Sequence, residues 1–441
     1  MSMNWGHMYR IRAWVVFLPA CLVALALFAW LGWRVFPPAP TTITITSGAK
    51  DGMYFKHAQR YAQAFEAYGV QANVVESAGT VQNIERLRDT QNPAQLGFVQ
   101  GGFGQIDCGL PTEGRTNIQT IANVDVEPVW IFSRVKDIDS LQQLQGMRVS
   151  IGQAGSGSRI IALKLLEQVR LEPKDLIVSE TTGMGSVKAM ANGSIDAAIF
   201  VASPSAPIVN AMLTTPGVHL ITLKRSAALI ERIPYLEPRL VAQGMLSPKD
   251  QLPTQDAVML TTVASVAVSE NLHPALKRLT AAVATQVHHE AGVFHKAGDF
   301  PNLRRVDFPS ASEARTTLLH GLPWIEAHLS LNQAQWVWRL FLIGLPLALA
   351  CWAWCFFVPA FMRWTIESYV NRWYGELKFI ENDLETAKLS GLDFAKHNVQ
   401  LRAIDTAVNN FEAPAEFMKR MYMLQQHIDF VRHKLLAMRG R

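Results

Sequence analysis

The chain has 441 residues, 49% hydrophobic and 17% charged, with 41 Lys+Arg against 36 Asp+Glu for a formal charge of +5. That length suits two or three domains, and so low a charge content excludes a disordered or collagen-like chain. The basic surplus raises nucleic-acid binding, which needs a concentrated basic face, so its position along the chain decides its meaning.

Residues 13–33 carry no charge and are bounded by Arg10, Arg12 and Arg34. At about 1.5 Å per residue the run covers a hydrocarbon core of about 30 Å. It is too long for the apolar part of a cleaved signal peptide and ends in Trp33-Arg34, so an uncleaved anchor is expected after a cytoplasmic segment 1–12.

The next 300 or so residues alternate strands and helices. A β run at 41–46 leads to the loop Ser47-Gly48-Ala49-Lys50-Asp51-Gly52, a helix over about 53–68, a strand at 72–76, the loop Ser77-Ala78-Gly79-Thr80, a helix over 81–88 and a strand at 96–99. Two such βα units predict a parallel sheet with helices packed on it. The pattern recurs with strands at 129–132 and 148–151, a Gly/Ser loop at 152–158 opening a helix over 159–169, a strand at 177–179, a loop at 181–185 opening a helix over 186–191, a strand at 195–201 and a helix over 208–213. The apolar run 257–268 is expected to return the chain to the first block. The predicted architecture is a domain over 38–335 with two α/β lobes around a cleft, lobe 1 about 41–130 and 262–310 and lobe 2 about 134–258.

A second charge-free run, 340–362, has Trp336, Trp338 and Arg339 at its entry and Arg363, Trp364, Arg372 and Trp373 at its exit. Tryptophans at both boundaries match an interfacial belt, and Pro346 and Pro359 are tolerated in spans. Basic residues flanking the two runs place both chain ends in the cytoplasm and the large domain outside. Of the four cysteines only Cys108 falls in that domain, so it has no internal disulfide and stands on its hydrophobic core. In the tail, 363–441, Trp373, Leu377, Ile380 and Leu384 are spaced 4,3,4 and Met421, Leu424, Ile428, Val431 and Leu435 are spaced 3,4,3,4, which predicts a small helical hairpin. Residues 35–338 hold 25 Lys+Arg and 26 Asp+Glu, so the surplus lies at the membrane borders and in the tail, and nucleic acid is not expected as a partner.

In a wound sheet, ligands bind off the carboxyl ends of strands, where helix N-termini expose unpaired N–H groups and a positive dipole end. Four loops combine glycine with hydroxyls at such places: Ser47-Gly48 with Gly52, Ser77 to Thr80 followed by Asn83, Gly155 to Ser158, and Thr181 to Ser186. Together they suit a small carboxylate, phosphate or similar anion. Each hydroxyl also serves as an N-cap, worth ~1 kcal/mol, and capping is the commoner role. No phosphate-loop motif occurs, the spacing of the 152–157 glycines is wrong for a dinucleotide fingerprint, and Ser156 lacks the glycines at 154 and 158 that a nucleophile elbow needs. His288, His289, Glu290 and His295 match no metal-ligand spacing and read as exposed helix histidines. Tyr54, Trp130 and Phe103 are either a cleft wall or core, and Arg134, Arg159 and Lys188 either meet a ligand carboxylate or form surface ion pairs.

Several segments, in order, resemble one family. Ile43-Thr44-Ile45-Thr46-Ser47-Gly48 with Gly52-Met53-Tyr54, Val75-Glu76-Ser77-Ala78-Gly79-Thr80-Val81-Gln82-Asn83, and Leu96-Gly97-Phe98-Val99-Gln100 resemble the opening of the TAXI-type solute receptors of TRAP transporters. Val149-Ser150-Ile151-Gly152 with Gly155 to Ser158, and Ala191 to Ala197 with Pro207, resemble that family's second lobe. The likeness spans about residues 41–270. It implies a type II periplasmic-binding-protein fold at the bacterial inner membrane, without enzyme activity, cofactor or metal. The implied ligand is a small carboxylate such as glutamate or 2-oxoglutarate, and the implied partner a sodium-driven permease. Residue by residue it nominates Ser47, Gly48, Tyr54, Gly79, Thr80, Asn83, Gln100, Ser156, Gly157 and Ser158 as ligand-binding. A second span and a cytoplasmic tail depart from the family, which leaves a second reading open, a transmembrane sensor signalling through its tail.

Overall fold

The computed structural model describes residues 5–104, 117–386, 394–411, 413 and 415–439, so Cys108 lies outside the described residues. The chain splits into two units, one formed by Met1–Pro37 with Val337–Arg441, the other by Pro38–Trp336. In the first, α1 (Trp5–Arg34) covers the first charge-free run.

The larger unit begins with β1 (Thr42–Thr46), whose alternation buries Ile43 and Ile45. In α2 (Met53–Glu66), His57, Ala58, Tyr61, Ala64 and Phe65 recur at helical spacing and form its buried stripe. The chain continues through β2 (Gln71–Val75), α3 (Thr80–Arg88), β3 (Ala94–Gln100), β4 (Ile118–Ser133), β5 (Arg148–Ser150), α4 (Gly157–Gln168), β6 (Ile177–Ser179), α5 (Gly183–Ala191), β7 (Ala197–Val201), α6 (Pro207–Thr214), β8 (His219–Leu220), α7 (Ser226–Arg232), β9 (Glu237–Val241) and β10 (Ala257–Ser269). After it, α8 (Pro274–His288), α9 (Ser312–His320) and α10 (Trp324–His328) follow, and α11 (Leu331–Arg339) leads out of the unit.

The strands join in the order β2-β1-β3-β10-β4-β7-β5-β6, with β8 on β4 and β9 on β10. β1 is parallel to β2 and β3, and β5 to β6 and β7, as the βα pattern predicts. The sheet as a whole is mixed, because β10 and β4 run antiparallel to each other and to β3 and β7. These two long strands tie the halves together. The sequence reading found β10, and of β4 only residues 129–132. Asn123, Asp125, Glu127 and Pro128 interrupt the apolar pattern of β4, while its partner β10 supplies the pairing that extends it to 16 residues.

Each half has its own core. Ile43, Ile45, Tyr61, Phe65 and Phe98 pack with Leu276 and Ala284 of α8 in the first. In the second, Ile161 and Leu165 of α4 lie with Val149 and Ile199 on one face, while Trp130, Phe132, Met190 and Met212 fill the other. At the end of α8, His289 is exposed as the sequence suggests, but His288 is not. His288 is buried beside His57, with ring centroids 4.7 Å apart, and close to Tyr61. His295 lies off the helix, with Nε2 3.6 Å from Asp125 Oδ1, and no group of three or more metal-binding side chains occurs among the described residues.

Within the first unit, α12 (Leu345–Thr386) is one helix, so the predicted 340–362 span and the first tail helix are continuous. Among the described residues one stretch, Leu331–Trp354, is long and apolar enough to cross a membrane, and Pro19–Val35 is a shorter apolar helical stretch. The tail adds α13 (Phe394–Asn409) and α14 (Met418–Arg439), which makes three packed helices in place of the expected hairpin. Leu401, Ile404 and Val408 of α13 are buried with Leu377, Ile380, Leu384, Leu424, Ile428 and Val431. Leu424→Ala is therefore expected to cost about 2–5 kcal/mol. The readout is faster tryptic cleavage within 418–439, and cleavage at the parent rate would contradict the packing.

Candidate functional site

A cavity of about 180 Å³ lies inside the larger unit, where loops from both halves meet. Its rim is built at the starts of four helices. Gly52 caps α2, Gly79 caps α3 with φ of 128°, Ser156 caps α4 and Thr182 caps α5. Only Ser156 uses its side chain for capping: Oγ accepts from Arg159 N at 3.2 Å and donates to Gln153 O at 2.8 Å.

Contacts across the cavity mouth hold the halves together. Gly155 O accepts from Val81 N (3.2 Å) and Gln82 N (3.4 Å) at the start of α3, and Gln153 Nε2 reaches Ala78 O at 3.4 Å. Asp51, from the loop before α2, accepts from Met184 N at 3.1 Å and so places a carboxylate on the α5 N-terminus, where the helix dipole favours it. Gly79 has a backbone conformation that L side chains rarely adopt, and a Cβ there would sit 3.4 Å from Ser156 Cα. The unit is thus seen with its cleft shut.

Of the nominated residues, Gly48, Tyr54, Gly79, Thr80, Gln100, Ser156, Gly157 and Ser158 line the cavity. Ser47 and Asn83 are not among its lining residues. Asn83 is fully buried, donates to Ser47 O and Phe98 O at 2.7 Å each and accepts from Thr46 Oγ1, which locks β1 to β3 behind the loop. Ser47 Oγ donates to Val75 O at 2.8 Å. Thr80 Oγ1 accepts from Gln100 N at 3.0 Å, and Gln100 Nε2 is buried without a partner. Trp130 and Phe103 belong to the cores, Trp130 Nε1 bonding to Ala202 O at 2.9 Å. Arg134, Arg159 and Lys188 are not in the lining, and Arg159 pairs with Glu180 instead.

Sequence reasoning missed the acidic side of the site. Glu127 lines the cavity at 5% exposure, and its Oε2 accepts from Tyr54 Oη at 2.8 Å. Desolvation pushes its carboxyl up to about 8, against the smaller opposing effect of the Tyr54 bond; Asp125 adds to the rise. Burial and the adjacent Glu127 likewise hold the Tyr54 phenol well above its ordinary value. The signal was the pair of acids, Asp125 and Glu127, inside the otherwise largely apolar stretch 124–132. Among the described residues no Lys, Arg or His lines the cavity, whereas two carboxyls, Asp51 and Glu127, do. An anion there would be held by helix N-termini, amides and hydroxyls.

A protein from Bordetella bronchiseptica RB50 is similar over 68% of this chain and 96% of its own, at 13% identity and a TM-score of 0.42. MatC from Rhodopseudomonas palustris, solved with bound malate, is similar over 68% and 95%, at 13% identity and 0.40. The alkanesulfonate-binding protein SsuA from Xanthomonas axonopodis pv. citri, bound to MOPS, is similar over 56% and 73%, at 15% identity and 0.35. A sequence profile described as the NMT1-like family matches residues 45–277, more than half of the chain and both sides of the cleft, and the chain therefore belongs to the NMT1-like family.

Proposed function

We propose that the chain is a membrane-anchored receptor that shuts its cleft on a small carboxylate outside the cytoplasm, without chemical turnover. The observation that carries this is the cavity at the convergence of the α2, α3, α4 and α5 N-termini, closed by hydrogen bonds between the two halves. Backbone N–H groups and hydroxyls at helix starts are generic anion ligands, and hinge closure removes the competing water. The residues in contact with ligand are Gly48, Tyr54, Gly79, Thr80, Gln100, Gly157 and Ser158, with Ser156 fixing the α4 turn and Ser47 and Asn83 bracing the β1 loop.

Glutamate or 2-oxoglutarate-like solutes are the proposed ligand class, and a TRAP-type permease the proposed recipient, in line with the TAXI-like motifs. The proposed topology has two spans, 13–33 and 340–362, with both termini cytoplasmic and the domain over 38–335 outside. A ligand at a hundred times its Kd should stabilise the protein by about 2.7 kcal/mol. Thermal unfolding of the detergent-solubilised chain against a panel of carboxylates and acidic amino acids measures this. Unchanged melting with every compound at millimolar concentration would sink the reading.

A further inference from the structure

We propose that Glu127 is the counter-ion for a ligand ammonium group, so that the site selects an α-amino acid over the corresponding keto acid or plain carboxylate; this rests on the solute-receptor reading above. The cavity offers two unlike polar sites. One is a set of donors: the buried amide of Gln100, whose Nε2 has no protein partner, and the first residues of α4, Gly157 and Ser158. These call for an acceptor, which a ligand carboxylate supplies. The other is Glu127, whose one protein donor among the described residues is Tyr54 Oη. Both its oxygens cannot be satisfied by a single phenol, and a carboxyl in a cavity lined by no cation is complemented by a cationic donor.

The groups facing Glu127 sharpen this. α2 contributes Tyr54, β4 contributes Asp125, and the loop before α2 adds Asp51 to the same lining. β10 places Thr262 opposite Glu127, and β7 brings Phe200 and Val201 to the cavity. Asp125 faces His295 at 3.6 Å. Every formal charge on the cavity wall is therefore negative or absent. A dianion would meet two carboxyls and no base, whereas a zwitterion places its carboxylate on the helix starts and its ammonium on Glu127.

With the Glu127 carboxyl at about 8 in the empty cleft, it is mostly protonated at neutral pH, and an ammonium ligand must displace that proton. Binding then releases a proton, and affinity rises with pH, by roughly fiftyfold between pH 6 and 8. Calorimetry on the full chain in nanodiscs, in buffers of different ionisation heat, tests this. The probes are three pairs: L-glutamate and 2-oxoglutarate, L-alanine and pyruvate, L-leucine and 4-methyl-2-oxovalerate. The expected result is one amino acid bound at least tenfold tighter than its keto partner at pH 8, with proton release. Glu127→Gln should weaken that amino acid at least tenfold at pH 8, flatten its pH profile and leave the keto acid unweakened. Keto acid bound as tightly as amino acid, with affinity falling above pH 8, would overturn the ammonium assignment and leave the carboxylate-receptor reading standing. Absence of binding by either member of every pair would overturn both. Should Glu127→Gln fail to fold, the pH profile of the unaltered chain still decides.

Discussion

Gly157→Ala is expected to weaken ligand binding by roughly five- to 150-fold while the protein stays folded. A Cβ at Gly157 would overlap Gln100 Oε1 and lie 3.0 and 3.1 Å from Thr80 Oγ1 and Cβ. Gly157 starts α4 in one half, whereas Thr80 and Gln100 belong to the other, so the clash exists only with the cleft shut. Overpacking of this kind costs about 1–3 kcal/mol, and here all of it falls on the closed state. Because ligand affinity scales with the population able to close, that cost becomes a loss of affinity by the same factor. Gly185→Ala is the control, since nothing lies within 4 Å of its Cβ position. Titration of both variants with the ligand found in the panel is the measurement. Binding by Gly157→Ala within threefold of the parent would mean that the shut form is not the ligand-holding form.

The second large effect is a stability maximum of the larger unit near pH 6.5, with opposite slopes traceable to different residues. Burial lowers His57 to about 4, partly offset by Asp125, and holds His288 lower still, with His57 adding to its depression. A base depressed in the folded state contributes stability above its unfolded value of 6.5 and loses it as pH falls through the folded one. Glu127 behaves oppositely. Raised to about 8, it contributes stability that is complete below its unfolded value of 4.5 and is lost as pH rises through 8. Between pH 6.5 and 4.5 the two histidines outweigh Glu127 by about one proton, or about 3 kcal/mol over the interval. Above 6.5 His57 and His288 become neutral in both states and Glu127 pulls stability down, by about 1.4 kcal/mol per pH unit. His295 and Asp307, both raised, slope the same way as Glu127.

Urea unfolding from pH 5 to 8 should therefore separate two variants. Glu127→Gln lessens the alkaline slope and is more stable than the parent at pH 8. His57→Phe, of similar volume and beside Phe98, lessens the acid slope. Parallel pH profiles for parent and variants would show that neither burial has the assigned effect.

Local pattern and long-range contact divide the information in this chain unequally. The βα units, the glycine-hydroxyl loops and eight of the ten nominated residues around the cavity were legible, because helix starts and strand ends announce themselves over a few neighbouring residues. Asn83 shows the limit. It sits in the right motif, but its partners are carbonyls at Ser47 and Phe98, and its role is set by a β1–β3 pairing that no local rule gives. The third tail helix was missed although Leu401, Ile404 and Val408 carry helical spacing, since three apolar positions are too few until α12 and α14 cover them.

The sequence by itself determined the class of the fold, the charge-free runs, and a larger domain without a basic field. Composition and short-range periodicity suffice for those. Only the tertiary structure decided the character of the site. Glu127 is one acid among many until β10 and α2 bury it, and His57 and His288 become a pair only when α8 folds back over α2. A pKa, a cavity and a contact across a cleft all depend on what lies opposite a residue in space, and that is fixed by chain segments far apart in sequence.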